Sequence, residues 1–410
     1  MNKLSLFFCS TFIFFCQQVH CQENNSISLG EKDSIYSDTL GELRELWIYL
    51  PESAKTSINS KYPVLYLLDG DAYFYSLSGI VKQLSSFGTT ICPESIIVAI
   101  PNTNRNRDLT PPDPLDSLPN LSGIEIFTSF IENELIPFVD SKYPTLPHRT
   151  LIGHSLGGSF VVNTLVNHQQ LFTNYLAIDP GLKFHDNRFL NYSISKIIKG
   201  DYDKKSLFLA VANTMPENMD TVTAIKDTTW VSSTIRSTLK LARSIDNKPS
   251  NKLNYLWKFY PNENHLSIPT ISQYDGLKYF FSWNSLDLDK IIRTNPDITG
   301  KEFFQKLQQH YTNISLKLKY KVLPNQDQVN DLGYYYLQKE DFDGAFQFMT
   351  LNVENFPKSS NSYDAMGDYY VAKNDFKKAA EYFSRAIKID GNSYSKEKLE
   401  NLKKEKVTNN

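Results

Sequence analysis

Cysteine is the scarcest reactive residue in this 410-residue chain: Cys9, Cys16, Cys21 and Cys92 are all there is. Three of the four fall inside the first 21 residues. A chain that sheds that segment keeps Cys92 alone and cannot close an internal disulfide, even in an oxidising compartment. Between Ile91 and Pro93, that cysteine reads as a small buried or loop residue. Histidine is sparse as well, seven residues scattered so that no Cys/His pair has ligand spacing. The sequence therefore implies no metal and no cofactor. Excess charge is missing too, because 43 Lys and Arg against 45 Asp and Glu leave a formal charge of −2. That balance gives no electrostatic case for nucleic acid or an anionic membrane as partner. The apolar stretch at 4–15 is shorter than the ~20 residues that a spanning helix needs.

What that stretch resembles instead is a secretion signal. Lys3 precedes it, and Val19 and Cys21 follow with the small or medium side chains that suit signal-peptidase cleavage. The expectation is a leader at 1–21, cleavage before Gln22, and an exported chain, periplasmic or secreted, with no membrane span in its mature form.

Beyond the leader, apolar runs alternate with helical spacing. Runs at 44–50, 63–68, 96–100, 174–178, 207–212 and 253–260 read as strands, and 73–87, 123–139 and 229–245 read as helices. Strand, helix and strand in alternation indicate an α/β fold: a mostly parallel sheet with helices on both faces, over residues 22–285. In such a sheet ligands sit beyond the carboxyl ends of the strands. Those ends are where the polar and glycine residues gather, at Asp69-Gly70-Asp71, Asn102, Ser155, Asp179, Asn213 and His265.

The sharpest motif is Gly153-His154-Ser155-Leu156-Gly157, placed between the strand that ends at Gly153 and a helix expected from 159 to about 172. This is the G-x-S-x-G elbow, in which a tight strand-to-helix turn presents a serine hydroxyl above the sheet. The turn also aims the backbone N–H of Leu156, at a helix N-terminus, where a negative oxygen develops in acyl transfer. A serine needs a base and the base an orienting acid, in the chain order Ser, acid, His. His265 follows the last strand and meets that order, whereas His154, adjoining Ser155, reads as a packing or shaping residue. For the acid, the loop after 207–212 offers Asp220, the favoured candidate, and Glu217, the alternative; Asp179, after the preceding strand, is a third. A second oxyanion N–H is expected from the loop after 63–68, at Asp71. In the run from Arg105 to Pro111, Arg107 is the candidate to hold an acidic substrate group, unless it pins the loop through Asp108.

Composition changes after Trp283. Residues 286–325 read as a charged helical linker, and 326–392 repeat themselves. Leu332-Gly333-Tyr334, Asp341-Phe342 and Ala345 recur 34 residues later as Met366-Gly367-Asp368, Asp375-Phe376 and Ala379. That period is similar to tetratricopeptide repeats, a small all-α helical-repeat domain. The charged tail at 393–410 reads as a capping helix that frays. Each helix pair has an apolar face that a neighbour must cover. The cover is expected from the helix at 302–312, the catalytic domain or a second chain, and the repeats are candidates to recruit a protein partner or a second copy.

Taken together, Tyr62-Pro63-Val64-Leu65-Tyr66-Leu67-Leu68-Asp69-Gly70, Ile100-Pro101-Asn102 with Arg107-Asp108-Leu109-Thr110-Pro111, the elbow, and Glu263-Asn264-His265 resemble the esterase D-type family of α/β-hydrolases. The family includes siderophore esterases, feruloyl esterases, S-formylglutathione hydrolases and mycolyltransferases. The resemblance implies an α/β-hydrolase fold, a serine esterase acting on a small-molecule ester, and Ser155 and His265 as its site residues. Siderophore, hydroxycinnamoyl and acetyl-sugar esters are the substrate classes it suggests. Lys183 and Phe184 stand where many relatives carry tryptophans. The competing readings are an acyltransferase of the same fold and a non-catalytic interaction protein that works through its repeats.

Overall fold

The structure is a computed structural model that describes residues 28–56, 60–86, 91–116, 122–246 and 251–408. The leader expected at 1–21 lies outside the described residues.

Eight strands form one sheet: β1 (Glu31–Ser37), β2 (Glu42–Tyr49), β3 (Tyr62–Leu68), β4 (Ile96–Ile100), β5 (Thr145–His154), β6 (Asn174–Ile178), β7 (Ser206–Ala212) and β8 (Asn254–Tyr260). Their order is β1-β2-β4-β3-β5-β6-β7-β8. The first two strands pair antiparallel with each other, β2 also runs antiparallel to β4, and every other pair is parallel. Parallel strands must be covered on both faces, which is why β3, β4 and β6 are buried throughout. Alternation divides the core in two. Val64, Tyr66 and Leu68 point into the layer of helices that includes Leu156–Asn167 and Ser233–Asp246, while Leu65 and Leu67 meet Gly70–Ser85 and Ile268–Phe280 on the other face. The helix expected at 123–139 forms from Gly123, but widens into a π turn at Ile131–Leu135 just ahead of Pro137, which has no N–H to donate. Cys92 is buried, and burial pushes its thiol pKa up.

Past the sheet the chain is all helix. Gln326–Gln338 pairs with Phe342–Asn355, and Ser360–Ala372 with Phe376–Asp390. The 34-residue recurrence now has a physical meaning. Glu340 and Asn374 take left-handed φ of 60° and 55° between the two helices of each pair. Asp341 and Asp375 then cap the second helix, accepting from the N–H of Gly344 and Lys378.

The open face of the first pair is covered by the helix Gly300–Leu318, which contains the 302–312 helix expected as one of its candidate covers. Phe303 is fully buried, with its ring edge-on to Tyr336 and Phe348 at 6.4 and 6.2 Å. A Cβ on Gly300 would lie 2.4 Å from the Cα of Gly344, so only glycine permits that approach. At the far end the tail is a docked helix, Ser393–Thr408. Lys398 bridges Asp364 and Asp368, and Leu402 packs with Ala379 and Phe383.

The helical unit meets the sheet at the start of β5. Ile314 and Leu318 pack on Leu146, and the Lys317 ammonium lies 5.1 Å from the centre of the Trp283 ring. His310 Nε2 donates to the Asn284 carbonyl at 3.1 Å. Beside this seam His148 is buried against Phe281 and Trp283, and accepts from Asn174 Nδ2 at 3.1 Å. Burial, aided by the charge of Lys317, holds its pKa down at about 4.

Two outcomes are expected. Phe303→Ala removes a ring closed in on all sides and should destabilise the helical unit by about 3–5 kcal/mol; helicity followed through thermal denaturation reads the loss. The second concerns acid. The folded His148 has the lower pKa, so the unfolded chain binds more protons between about 6.5 and 4. Its contribution is thus fully present above that window and lost as the pH falls through it. Wild type should lose about 2–3 kcal/mol more than His148→Gln between about pH 7 and 4.5 in denaturant titrations.

Candidate active site

The site begins with a backbone constraint. Ser155 sits between β5 and the helix Leu156–Asn167 at φ 58°, ψ −116°, a region that costs a non-glycine residue roughly 1–3 kcal/mol. Three backbone hydrogen bonds hold it there. Its N–H donates to the Ile178 carbonyl at 2.9 Å, and its own carbonyl accepts from Ser159 N at 3.0 Å and Gly181 N at 3.1 Å. Gly153 makes the turn possible, because a Cβ there would stand 2.3 Å from the Gly157 carbonyl oxygen. The helix starts three residues earlier than the expected 159 because Ser155 itself is the N-cap. It ends at Asn167, where His168 leaves helical geometry at φ −135°, ψ 42°.

Above that turn three side chains line up. Ser155 Oγ is 3.0 Å from His265 Nε2, and His265 Nδ1 is 2.6 Å from Asp179 Oδ2. Asp179 follows β6 directly, at φ 39°, and is completely buried. Its second oxygen accepts from the Ala212 N–H at 3.2 Å, so this buried carboxylate has a partner on each side. A carboxylate only accepts, so the imidazole proton lies on Nδ1, leaving the Nε2 lone pair toward the serine hydroxyl. Such an array can draw a proton from the serine oxygen as that oxygen forms a new bond.

The acid favoured from the sequence is thus corrected. Asp220 is the N-cap of the helix Thr221–Lys226, where its Oδ1 accepts from Val222 N at 3.0 Å and Thr223 N at 2.7 Å. Those bonds, led by that from Thr223, hold its pKa below the ordinary value. Glu217 is exposed on the same loop with no bond to His265. Asp179, the third candidate, is the carboxylate that reaches the imidazole. Arg107 is corrected likewise as a substrate-binding residue. Its Nε donates to Asp108 and its two Nη atoms to Glu42, so the guanidinium is spent on pinning the loop. Asp108 in turn binds the buried Arg44 at 2.7 Å.

The two expected oxyanion donors lie where helices begin. Leu156 opens the elbow helix and Asp71 is the second residue of Gly70–Ser85, both in first turns whose N–H groups have no acceptor within the helix. The β3 turn abuts the elbow: a Cβ on Gly157 would lie 3.1 Å from Asp69 Oδ2 and 3.5 Å from Leu68 Cβ.

Sequence reasoning missed the ring of residues that braces the elbow. Asp69, buried at φ 52°, accepts from Asn102 Nδ2 at 2.7 Å and from Arg105 Nε and Nη2 at 2.6 and 3.0 Å. Arg105 Nη2 also donates to the His154 carbonyl at 3.3 Å. The signal available was the clustering of Asp69, Asn102 and Arg105 at neighbouring strand ends. Tyr73 gave no signal beyond its helical spacing, yet its hydroxyl meets His154 Nδ1 at 2.9 Å. His185, which follows Asp179 closely in sequence, bonds the Pro111 carbonyl at 2.9 Å and takes no part in the array.

Comparison with known proteins bears on this geometry. Residues 37–210 match the family model described as "Putative esterase". The ferri-bacillibactin esterase BesA of Bacillus subtilis (strain 168) is 30% identical over 180 residues, which is 40% of this chain and 62% of that protein. The match thus spans about three fifths of that relative's length. Among solved structures, an IroE-like serine hydrolase from Shewanella oneidensis superposes with a TM-score of 0.64 at 29% identity, covering 79% of this chain and 99% of that one. An uncharacterised protein from Capnocytophaga ochracea has a TM-score of 0.63 at 17% identity and covers 91% of this chain and 99% of its own, a likeness of fold. Strand order, elbow and sequence therefore agree: the fold is that of the α/β-hydrolases, and residues 37–210 match the esterase family within it.

Proposed function

We propose that this chain is a serine esterase that hydrolyses a carboxylic ester through an acyl-enzyme on Ser155, with His265 as general base and Asp179 as the orienting acid. The observation that carries the reading is the continuous line Ser155 Oγ, His265 Nε2, His265 Nδ1, Asp179 Oδ2, with contacts of 3.0 and 2.6 Å and a fully buried acid at its end. As Ser155 Oγ bonds to the ester carbonyl carbon, its proton passes to His265 Nε2. The imidazolium that results is stabilised by Asp179 across the Nδ1–H bond. The carbonyl oxygen, now negative, is received by the Leu156 and Asp71 N–H groups. His265 then gives its proton to the departing alkoxide, which leaves the acyl group on Ser155. Water repeats the sequence and frees the acid.

The substrate class proposed is a siderophore ester. Its support is the ferri-bacillibactin esterase among the relatives, a protein named for cleaving such a molecule. Export fits this reading, with the mature chain starting near Gln22 as the sequence of the leader suggests.

Three variants test the chemistry against a p-nitrophenyl acyl ester and a fluorophosphonate probe. Ser155→Ala should lose both turnover and labelling. Asp179→Asn should lower kcat by about 10⁴, because the imidazole loses its orienting acceptor. Asp220→Asn removes only a helix cap and should stay within a few-fold of wild type. A larger loss in Asp220→Asn than in Asp179→Asn would return the acid to the β7 loop. For the substrate, ferri-bacillibactin should be turned over in preference to hydroxycinnamoyl and acetyl-sugar esters.

A further inference from the structure

We infer that His154 and Tyr73 form a positioning pair that fixes the backbone of His265, and so sets the distance from its imidazole to Ser155. This rests on the esterase reading above and adds residues to it. His154 Nε2 is 2.7 Å from the His265 carbonyl oxygen, and its Nδ1 is 2.9 Å from the Tyr73 hydroxyl. A carbonyl only accepts, so Nε2 carries the proton and donates to it. In a neutral ring Nδ1 is then left as an acceptor, and the Tyr73 hydroxyl donates to it. Tyr73 thereby selects the tautomer that His265 needs.

The electrostatics favour that neutral ring. His154 is 4% exposed, and burial, then the neighbouring charge of His265, hold its pKa at about 4. Asp179 and Asp69 pull the other way without prevailing. Neutrality matters because the two imidazoles are tilted against each other with centres 4.5 Å apart. A cation at His154 would oppose the imidazolium that His265 becomes in each turnover.

The tether has little redundancy. The loop of His265 is held at Glu263 and Pro261 by Asn213, and internally by Asn264 and Ser267. Among the hydrogen bonds of the described residues, that from His154 is the one that ties the backbone of residue 265 to another strand of the sheet. His154 is itself anchored from behind, since Arg105 donates to its carbonyl. Its position next to Ser155 in sequence means that one residue couples the serine turn on β5 to the histidine loop after β8.

The test compares His154→Phe, which keeps a ring but no donor, with His154→Gln, whose amide N–H replaces Nε2–H, and with Tyr73→Phe. In His154→Phe kcat on a p-nitrophenyl ester should fall about a hundredfold, with KM within about twofold, the loss expected from a displaced base. Fluorophosphonate labelling should slow in parallel. His154→Gln should recover at least a tenth of wild-type kcat, and Tyr73→Phe should fall between the two. The low-field proton resonance of His265 Nδ1–H should broaden in His154→Phe and persist in His154→Gln. Unchanged kcat in His154→Phe overturns the inference, as does a Gln variant no better than Phe while both melt at the wild-type temperature. If His154→Phe does not fold, the ranking of Gln and Tyr73→Phe against wild type decides the matter alone. A wild-type protein that resists the probe would overturn the esterase reading itself, an outcome distinct from any ranking of these variants.

Discussion

A single serine held at positive φ is the constraint around which this molecule is assembled. Ser155 can stay at φ 58° only because neighbouring segments over-determine it: β6 supplies the acceptor for its N–H, and the turn after β6 supplies Gly181 to its carbonyl. The same turn carries Asp179, which emerges at the point where the β5 and β6 loops are locked together. Strain, acid and base are therefore one arrangement. The parallel register of β5 with β6, and of β6 with β7, delivers each group to the same end of the sheet.

Burial decides which carboxylate joins the array. A charge with no access to water persists only if fixed dipoles and partners replace the solvent. Asp179 meets this condition through the Ala212 N–H and the His265 ring, whereas Asp220 satisfies itself locally with two amides of its own helix. Chain order alone allowed Asp179, Glu217 and Asp220 equally. The run Asp220-Thr221-Val222-Thr223 does carry the signature of a helix cap, so that part was readable. What no one-dimensional pattern contains is that the β6 turn swings Asp179 beneath a histidine 86 residues further along the chain.

The fold was legible where burial is one-sided in pattern or complete. β3, β4 and β6 are unbroken apolar runs because helices cover both faces, and the glycines of the elbow mark a turn that other residues cannot make. Legibility fails at the margins. β1 is an exposed edge strand, Glu31–Ser37, whose charged and hydroxyl residues resemble a loop, and it exists through its pairing with β2. Arg188–Lys199 and Ile268–Phe280 were not anticipated, since each follows a polar turn that conceals its start. The two C-terminal helix pairs showed themselves through a 34-residue recurrence in the sequence. The first layer of that unit, Gly300–Leu318, did not, because it packs through the same contacts without sharing the repeated sequence.

The seam between the sheet and the helical unit has a consequence for traffic at the site. Leu146 lies at the start of β5 and Ser155 just past its end, so the rise of the strand separates them by roughly 30 Å. The contacts that join the helical unit to the sheet, Ile314 and Leu318 on Leu146 and His310 on Asn284, lie at that starting end. The Ser155 turn and the seam therefore stand at opposite ends of β5. A body resting on the helices beside that seam would be about the length of β5 away from an ester on the serine.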